Sequence, residues 1–597
     1  MTNYDYFDDE CSWPRWLLRI DTLTSHFWQP GNIYGGLVEP EYNAISYTWG
    51  RFALQEDEQT HIRAMPIRGI PWAKDLPRIR PSRFTIEELC RALKTAACPY
   101  SGYKSVTFIW LDIACINQNT RTAENASEIG RQAKIFQRAK DSFIWLPSHT
   151  SADIRAWGRE MDRTVSHKTP HQQAHPWTKE TGFVEVPPEE EEAEAASRSA
   201  WLNSASDVLD QFTVDPWFSS LWTLQEAFLS PRAIFIWRDG LTPEFLEDCR
   251  DGGGVVQFFN LMNWVQAWNM VKAKCMGSDF LSLPGSRDLV NRIDATGVLG
   301  GVRDQFLGQI DDLDFPLGAT GNPFQLLAAA SHRTTKRQED RIYGIMQVFD
   351  LRLGRSAPNT AEINFTLEEL EFQLASTLLC RHPVFSQLVI QPLPQQGRPT
   401  WMTTETISLP DEAFIAWSHK SFNGELATLT SFSTNLVSNV TWARFSGPLS
   451  SVKDLCKTVF SYGIVNSIDV ALDEQWNGPM VASEPSNRSR TRVKKLEWIM
   501  SQLPDTRVLL LARLRPPPGY NMRSELNKFY DMGIGLLLQK REDTSGRYYH
   551  ERIGIVTWDL DYVIFTLSTQ KRSLSPKDLE YLDGIGDGWV LTEGLYG

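Results

Sequence analysis

Apolar positions fall into two periodicities that alternate along the first 240 residues of the chain. Four short runs, Ala44–Trp49, Val106–Ile113, Phe143–Leu146 and Ala233–Trp237, are apolar at successive positions and bounded by polar or turn residues. A strand with this pattern is buried on both faces, as in a parallel sheet. Between the runs the spacing becomes helical. Thr85-Ile-Glu-Glu88 is a capping box: the Thr oxygen can accept from the third helical N–H while Glu88 reaches back. Ile86, Leu89, Cys90 and Leu93 then follow on one face. A second helix is predicted over Glu124–Lys140, with Ile129, Ala133, Phe136 and Ala139 inward. A third begins at Asp215-Pro216, a capping residue followed by the proline that suits a first helical position. It turns Phe218, Leu221, Trp222 and Phe228 inward. Strands alternating with helices predict βαβ units around a parallel sheet.

Residues 148–200 interrupt the alternation and exceed an ordinary connection. Pro187-Pro188 and the acidic run Glu189–Glu194 leave little apolar surface to bury, which predicts disorder. His167, His171 and His175 would share a face if helical and could then hold a metal. Pro170 and Pro176 argue against a continuous helix there, so no metal site is expected. Further on, Asp340-Arg-Ile-Tyr-Gly-Ile-Met-Gln-Val-Phe349 has a helical apolar face, and Thr366-Leu-Glu-Glu369 is a second capping box. Arg507–Leu514, Gly533–Gln539 and Tyr548–Trp558 read as strands, with Asp543-Thr-Ser-Gly546 as a turn. The expected organisation is an N-terminal extension (1–39), an α/β domain (40–240) with a flexible acidic insertion (148–200), a mainly helical region (241–390) and a β-rich α+β region (391–597).

Composition narrows the functional classes. The chain has 597 residues and a net charge of -13. Phosphate-backbone binding needs an excess of Lys and Arg, so nucleic acid is not an expected partner. The basic stretch Arg488, Arg490, Arg492, Lys494, Lys495 could form a nuclear-localisation or anionic-partner patch, but a solvated loop leading into a helix is the leading reading. The 8 cysteines contain no Cys-x-x-Cys pair, which fits a reducing compartment without a disulfide framework or zinc knuckle. The N-terminus is acidic and lacks the order of a signal peptide. No apolar run is long enough for a membrane span. A soluble, cytoplasmic protein is expected. Gly252–Gly254 and Gly297-Val-Leu-Gly-Gly301 lack the Gly-Lys-Ser/Thr of a phosphate loop. Gly-x-Ser-x-Gly and His-Glu-x-x-His are absent too.

Three blocks remain: Tyr42-Asn-Ala-Ile-Ser-Tyr-Thr-Trp-Gly50; Phe108-Ile-Trp-Leu-Asp-Ile-Ala-Cys-Ile-Asn-Gln118, followed by Glu124 and Phe143-Ile-Trp-Leu146; and Trp217-Phe-Ser-Ser-Leu-Trp-Thr-Leu-Gln-Glu226. In this order they resemble the heterokaryon incompatibility (HET) domain of filamentous fungi. Ile45 replaces that pattern's leucine, and Ser220 stands where arginine is usual. Asp340-Arg-Ile-Tyr343 is similar to a block that often follows HET domains. The resemblance implies a role in vegetative incompatibility, where self/non-self recognition at cell fusion leads to regulated cell death, akin to innate immunity. It also implies a distant likeness to Toll/interleukin-receptor (TIR) domains, and with it a flavodoxin-like parallel sheet. Some TIR domains hydrolyse NAD with a glutamate four residues after a tryptophan, and Trp222 and Glu226 have that spacing.

The resemblance opens a candidate site. Ligands of doubly wound sheets sit beyond the carboxyl ends of the strands. Tyr47, Trp49 and Gly50 follow the first strand there, and Asp112, Asn117 and Gln118 follow the second. Trp222 and Glu226 share a helix face. Trp222 could flank a base, and the Glu226 carboxylate could stabilise oxocarbenium-like charge, as glycosidase carboxylates do. A helix running from Asp215 would instead carry Glu226 ~16 Å towards the opposite edge of the sheet. Structural roles compete at every position. The tryptophans suit the core, Cys115 a small buried site, Asp112 a turn cap, and Asn117 and Gln118 loop amides. The leading expectation is a HET effector or regulator with protein partners, including self-association, and no certain cofactor. The alternatives are a TIR-like enzyme with NAD as substrate, or a non-enzymatic oligomerising scaffold.

Overall fold

A computed structural model describes residues 12–48, 65–76, 78–99, 104–119, 122–166, 188–242, 261–275, 283, 285–296, 323–391, 399–404, 406–410, 422–425, 427–433, 441–461, 468–477, 488–514, 532–542, 546, 548–559 and 589–596. The chain divides into two compact units, Met1–Leu367 and Glu368–Gly597.

The first unit is built on a six-stranded mixed sheet. In chain order its strands are β1 (Trp16–Arg19), β2 (Thr24–Phe27), β3 (Tyr42–Ser46), β4 (Phe108–Leu111), β5 (Ser142–Leu146) and β6 (Ile234–Trp237). Their spatial order is β2-β1-β4-β3-β5-β6. The four apolar runs seen in the sequence are the four parallel strands β3 to β6. The N-terminal extension supplies β1 and β2, which add an antiparallel edge. Numbered among themselves, the parallel strands lie in the order 2-1-3-4, so the connections leave the first of them in opposite directions.

Helices cover both faces of the sheet, and β3 shows how. The Asn43 amide donates to the Ala96 carbonyl of α1 (Ile86–Ala97) at 2.7 Å. The Tyr42 hydroxyl donates to the Ile135 carbonyl at 2.7 Å on the other face. Side chains of a strand alternate between faces. Asn43, Ile45 and Tyr47 therefore face α1, and Tyr42, Ala44 and Ser46 face away from it. The capping box of α1 is present, with Thr85 Oγ1 accepting from the Glu88 N–H and Glu88 Oε2 from the Thr85 N–H.

The helix expected over Glu124–Lys140 is two: α2 (Ala123–Ile129) and α3 (Gln132–Arg138). The break lies at Gly130 and Arg131. A side chain at 130 would meet the Ser356 carbonyl oxygen at 2.9 Å, so the chain passes too closely for any residue but glycine. Arg131 then buries its guanidinium, donating to the Trp13 carbonyl at 2.6 Å and pairing with Glu128 at 3.3 Å. The structure also places helices where low apolar content predicts disorder. They are α4 (Ser151–Ser166) and α5 (Pro188–Thr213). Trp201, Leu202, Ala205, Val208, Leu209 and Phe212 of α5 are buried in a core with β5, β6, α7 (Leu261–Cys275) and α8 (Ser286–Ala295). The acidic run falls in the first turns of α5. His167, His171 and His175 lie outside the described residues.

The second unit is β-rich, as the sequence indicated. Its strands include β7 (Thr441–Ser451), β8 (Thr506–Leu514), β9 (Met532–Glu542), β10 (Tyr548–Asp559) and β11 (Val590–Tyr596). Their pairings close a ring, β7-β8-β9-β10-β11-β7. Alternate residues feed two cores: Leu509, Leu511, Ile534, Leu536 and Leu538 one, Val508, Leu510 and Leu537 the other. Within it the buried Arg552 pairs with Asp473 at 3.0 Å and donates to Gln387 Oε1 at 3.1 Å.

Candidate functional site

The site sits at the carboxyl end of β3, beside the β3–β5 pair where the connections diverge. Ser46 ends β3 on the face away from α1. Its hydroxyl oxygen accepts from the Trp217 indole N–H at 2.7 Å, and Trp217 is fully buried. Trp217 belongs to a 3-10 turn, Pro216–Ser219, capped by Asp215 as the sequence indicated. Asp215 Oδ1 accepts from the Trp217 N–H at 2.9 Å, and Oδ2 from the Ser148 N–H at 3.0 Å. The turn ends at Ser220, and the α-helix proper, α6, runs from Leu221 to Leu229.

This break corrects the position expected for Glu226. Glu226 is five residues into α6 rather than eleven into a helix from Asp215. At ~1.5 Å per residue it lies about 7.5 Å along the axis, not at the far edge of the sheet. It is buried and within hydrogen-bonding reach of Ser46, whose hydroxyl accepts from Trp217 and can donate to the carboxylate. Burial pushes its carboxyl up to about 8; the negative charge of Asp112 adds to the shift and the Ser46 hydrogen bond opposes it. Burial therefore favours the protonated form of Glu226. Its Oε2 has no hydrogen-bond partner among the described residues.

Tyr47 follows on the α1 side. Its ring lies 5.9 Å from that of Trp145, which Phe84 meets edge-on at 4.7 Å. The Tyr47 hydroxyl is raised well above its ordinary value by burial, then by the Asp112 and Glu226 carboxyls. It faces Asp112 without closing a well-formed hydrogen bond. Asp112 stands where β4 turns into a one-turn helix, Asp112–Cys115, and its Oδ1 accepts from the Ile113 N–H at 2.5 Å. The Thr48 hydroxyl is buried without a partner among the described residues. One strand end thus gathers two carboxyl groups and three hydroxyls, with unsatisfied polar atoms on Tyr47, Thr48 and Glu226. Buried polar groups are rarely left unpaired, and such exceptions concentrate where a protein does chemistry or binds a ligand.

The other candidates go elsewhere. The Trp222 indole, expected to flank a base beside Glu226, hydrogen-bonds Asp340. Asn117 Nδ2 donates to Glu124 Oε2 at 3.0 Å, and Asn117 Oδ1 accepts from the Asn119 N–H at 3.0 Å. Gln118 donates to the Ile116 carbonyl at 2.8 Å and the Asp112 carbonyl at 3.2 Å, holding the turn that presents Asp112. Cys115 is a buried core residue whose Sγ accepts from the Leu111 N–H at 3.5 Å, and burial pushes its thiol up. Trp110 is fully buried. Trp49 and Gly50 lie outside the described residues. Sequence reasoning passed over Ser46, Thr48 and Trp217, although each stands inside one of the three blocks. No group of His, Cys, Asp and Glu suited to a metal occurs among the described residues.

Fold and site define an α/β domain with a buried acid over the carboxyl ends of its parallel strands. Residues 42–226 match the family model described as "Heterokaryon incompatibility protein (HET)", so the chain carries a HET domain over that span, which suggests a role in heterokaryon incompatibility. No curated protein and no solved structure matches the chain. No described helix is long and apolar enough to cross a membrane.

Proposed function

We propose that the chain is an effector of heterokaryon incompatibility in which self/non-self recognition is converted into regulated cell death, with the strand-end cluster as its working site. One observation carries this reading. The segments that match the HET family, far apart in sequence, meet as Ser46 and Tyr47, Asp112, and Trp217 with Glu226. A domain needing only a stable core would fill this place with apolar side chains. A buried, unsatisfied acid cluster costs stability instead. The parallel-strand order 2-1-3-4 supports a TIR- and flavodoxin-like fold, whose ligand position falls at this switch point. Controlled expression in a filamentous fungus tests the proposal. Wild type is expected to arrest growth, and unimpaired growth with abundant, folded protein overturns it.

A more specific second reading, hydrolysis of NAD, draws on the electrostatic proximity of Asp112 to Glu226. A buried carboxyl group whose titration is raised, beside a second carboxyl group, can take a role different from its neighbour's. Glu226 would hydrogen-bond the ribose as a neutral acid and Asp112 would face the developing positive charge, while nicotinamide leaves as a neutral base and the attacking water passes its proton to the Asp112 carboxylate. Incubation of purified protein with NAD, at concentrations that favour monomers and at ones that favour assemblies, decides this. Nicotinamide release stopped by Glu226→Gln supports it. Absence of release from wild type in both regimes removes it and leaves the incompatibility reading standing.

A further inference from the structure

The family match ends at Glu226, yet the contacts that hold α6 in place come from residues about 110–120 positions later. Arg333 is buried, and its Nη1 donates to the Trp217 carbonyl at 2.9 Å and the Ser220 carbonyl at 3.0 Å. Its Nη2 donates to the Thr296 carbonyl. Two of its Nη1 contacts thus fall on the 3-10 turn and its end, whose length decides how far along α6 Glu226 lies, and a third reaches Thr223 Oγ1 of α6 at 3.4 Å. Thr334 continues the clamp. Its N–H donates to the Ser219 carbonyl at 2.9 Å, and its carbonyl accepts from the Leu221 N–H at 3.2 Å. The first N–H groups of a helix have no partner within it. Ser220, the residue before α6, offers no side-chain cap, so Thr334 satisfies one of them.

A second clamp grips the middle of the helix. Gln225, the neighbour of Glu226, is fully buried. Its Oε1 accepts from the Gln347 N–H at 3.1 Å, and its Nε2 donates to Gln132 Oε1 at 3.0 Å. Gln347 Oε1 accepts in turn from the Ala133 N–H at 3.4 Å, tying α6 to α3. Gly344 lies against Leu221, where an added Cβ would sit 3.2 Å from Leu221 Cγ. Three independent points of one later segment thus fix the start, the face and the axial position of α6. Such over-determination is what a preorganised side chain requires.

We infer that Arg333 and Gln347, both outside the matched span, are positioning residues that hold Glu226 against Ser46 at the end of β3. The inference rests on the reading of the strand-end cluster as the working site, and its test reads Glu226 directly rather than through growth. In the full chain, infrared difference spectra between each background and its Glu226→Gln counterpart isolate the Glu226 carboxyl band and its titration. The backgrounds are wild type, Arg333→Lys, Arg333→Met and Gln347→Leu. The wild-type midpoint is expected near pH 8. In folded Arg333→Met and Gln347→Leu it should fall by about one pH unit or more, as the carboxyl loses its dry position. Arg333→Lys, which keeps one donor, should fall by less. An unchanged midpoint in any folded Met or Leu variant overturns the inference. If neither of those folds, Arg333→Lys decides, an unchanged midpoint again overturning it. Growth arrest that fails while the midpoint stays fixed also overturns it, and a shifted midpoint in a protein that never arrests growth refutes the functional reading alone.

Discussion

Replacing Glu226 by glutamine removes the titration of one buried acid while keeping the size and shape of its side chain. The folded-state value of about 8 lies above the ordinary carboxyl value of 4.5. Between those values the folded protein holds a proton that the unfolded chain has released. Its contribution to stability is complete below the unfolded value and is lost as pH rises through the folded one. One pH unit of that interval corresponds to about 1.4 kcal/mol, so roughly 2.5 kcal/mol should disappear between about pH 6 and pH 9. Other buried acids, Asp215 and Asp340 among them, also have raised values, so wild type alone does not isolate this term. The difference between Glu226→Gln and wild type does. Unfolding midpoints of both proteins, taken at matched scan rates across that range, should diverge, with the variant gaining on wild type as pH rises. A gap independent of pH, or one that moves the other way, would refute the claim that Glu226 is buried as a neutral acid.

Other expectations follow from the same contacts. Trp217→Phe removes the indole N–H that Ser46 accepts, and should cost about 1–2 kcal/mol in chemical denaturation while leaving most of the aromatic packing in place. Glu128→Gln leaves Arg15 and Arg131 without their buried counter-charge and should cost about 3–5 kcal/mol, with the N-terminal segment becoming the first site of protease cleavage. Arg552→Met strands the buried Asp473 and should lower the unfolding midpoint of the C-terminal unit, by a similar amount of free energy.

The parallel core of the first unit was legible because a strand buried on both faces must be apolar at successive positions, as Phe108–Leu111 and Ile234–Trp237 are. The capping box of α1 and the Asp215 cap followed by Pro216 were legible because they are chemistry of a few neighbouring residues. Three features were not. The antiparallel pair β1–β2 is short and partly polar, so it lacks the signature of a buried strand. Helices α4 and α5 carry charged faces, and only Trp201, Phe212 and their neighbours, packed against α7, reveal why they form. The break between the 3-10 turn and α6 depends on Arg333, more than 100 positions away, and no local pattern at Ser220 encodes it. That break decided the site. Helical periodicity paired Trp222 with Glu226, whereas the fold sends Trp222 to Asp340 and Glu226 to Ser46.

We propose the cluster joining Ser46, Tyr47, Asp112 and Glu226 as the place where the HET domain works. That role is tested most directly by expressing wild type and Glu226→Gln in a filamentous fungus at matched, verified protein levels and measuring colony growth. Wild type should arrest growth and the variant should grow near-normally, because glutamine keeps the shape of the side chain and loses the acid. Equal arrest by both proteins would contradict that role.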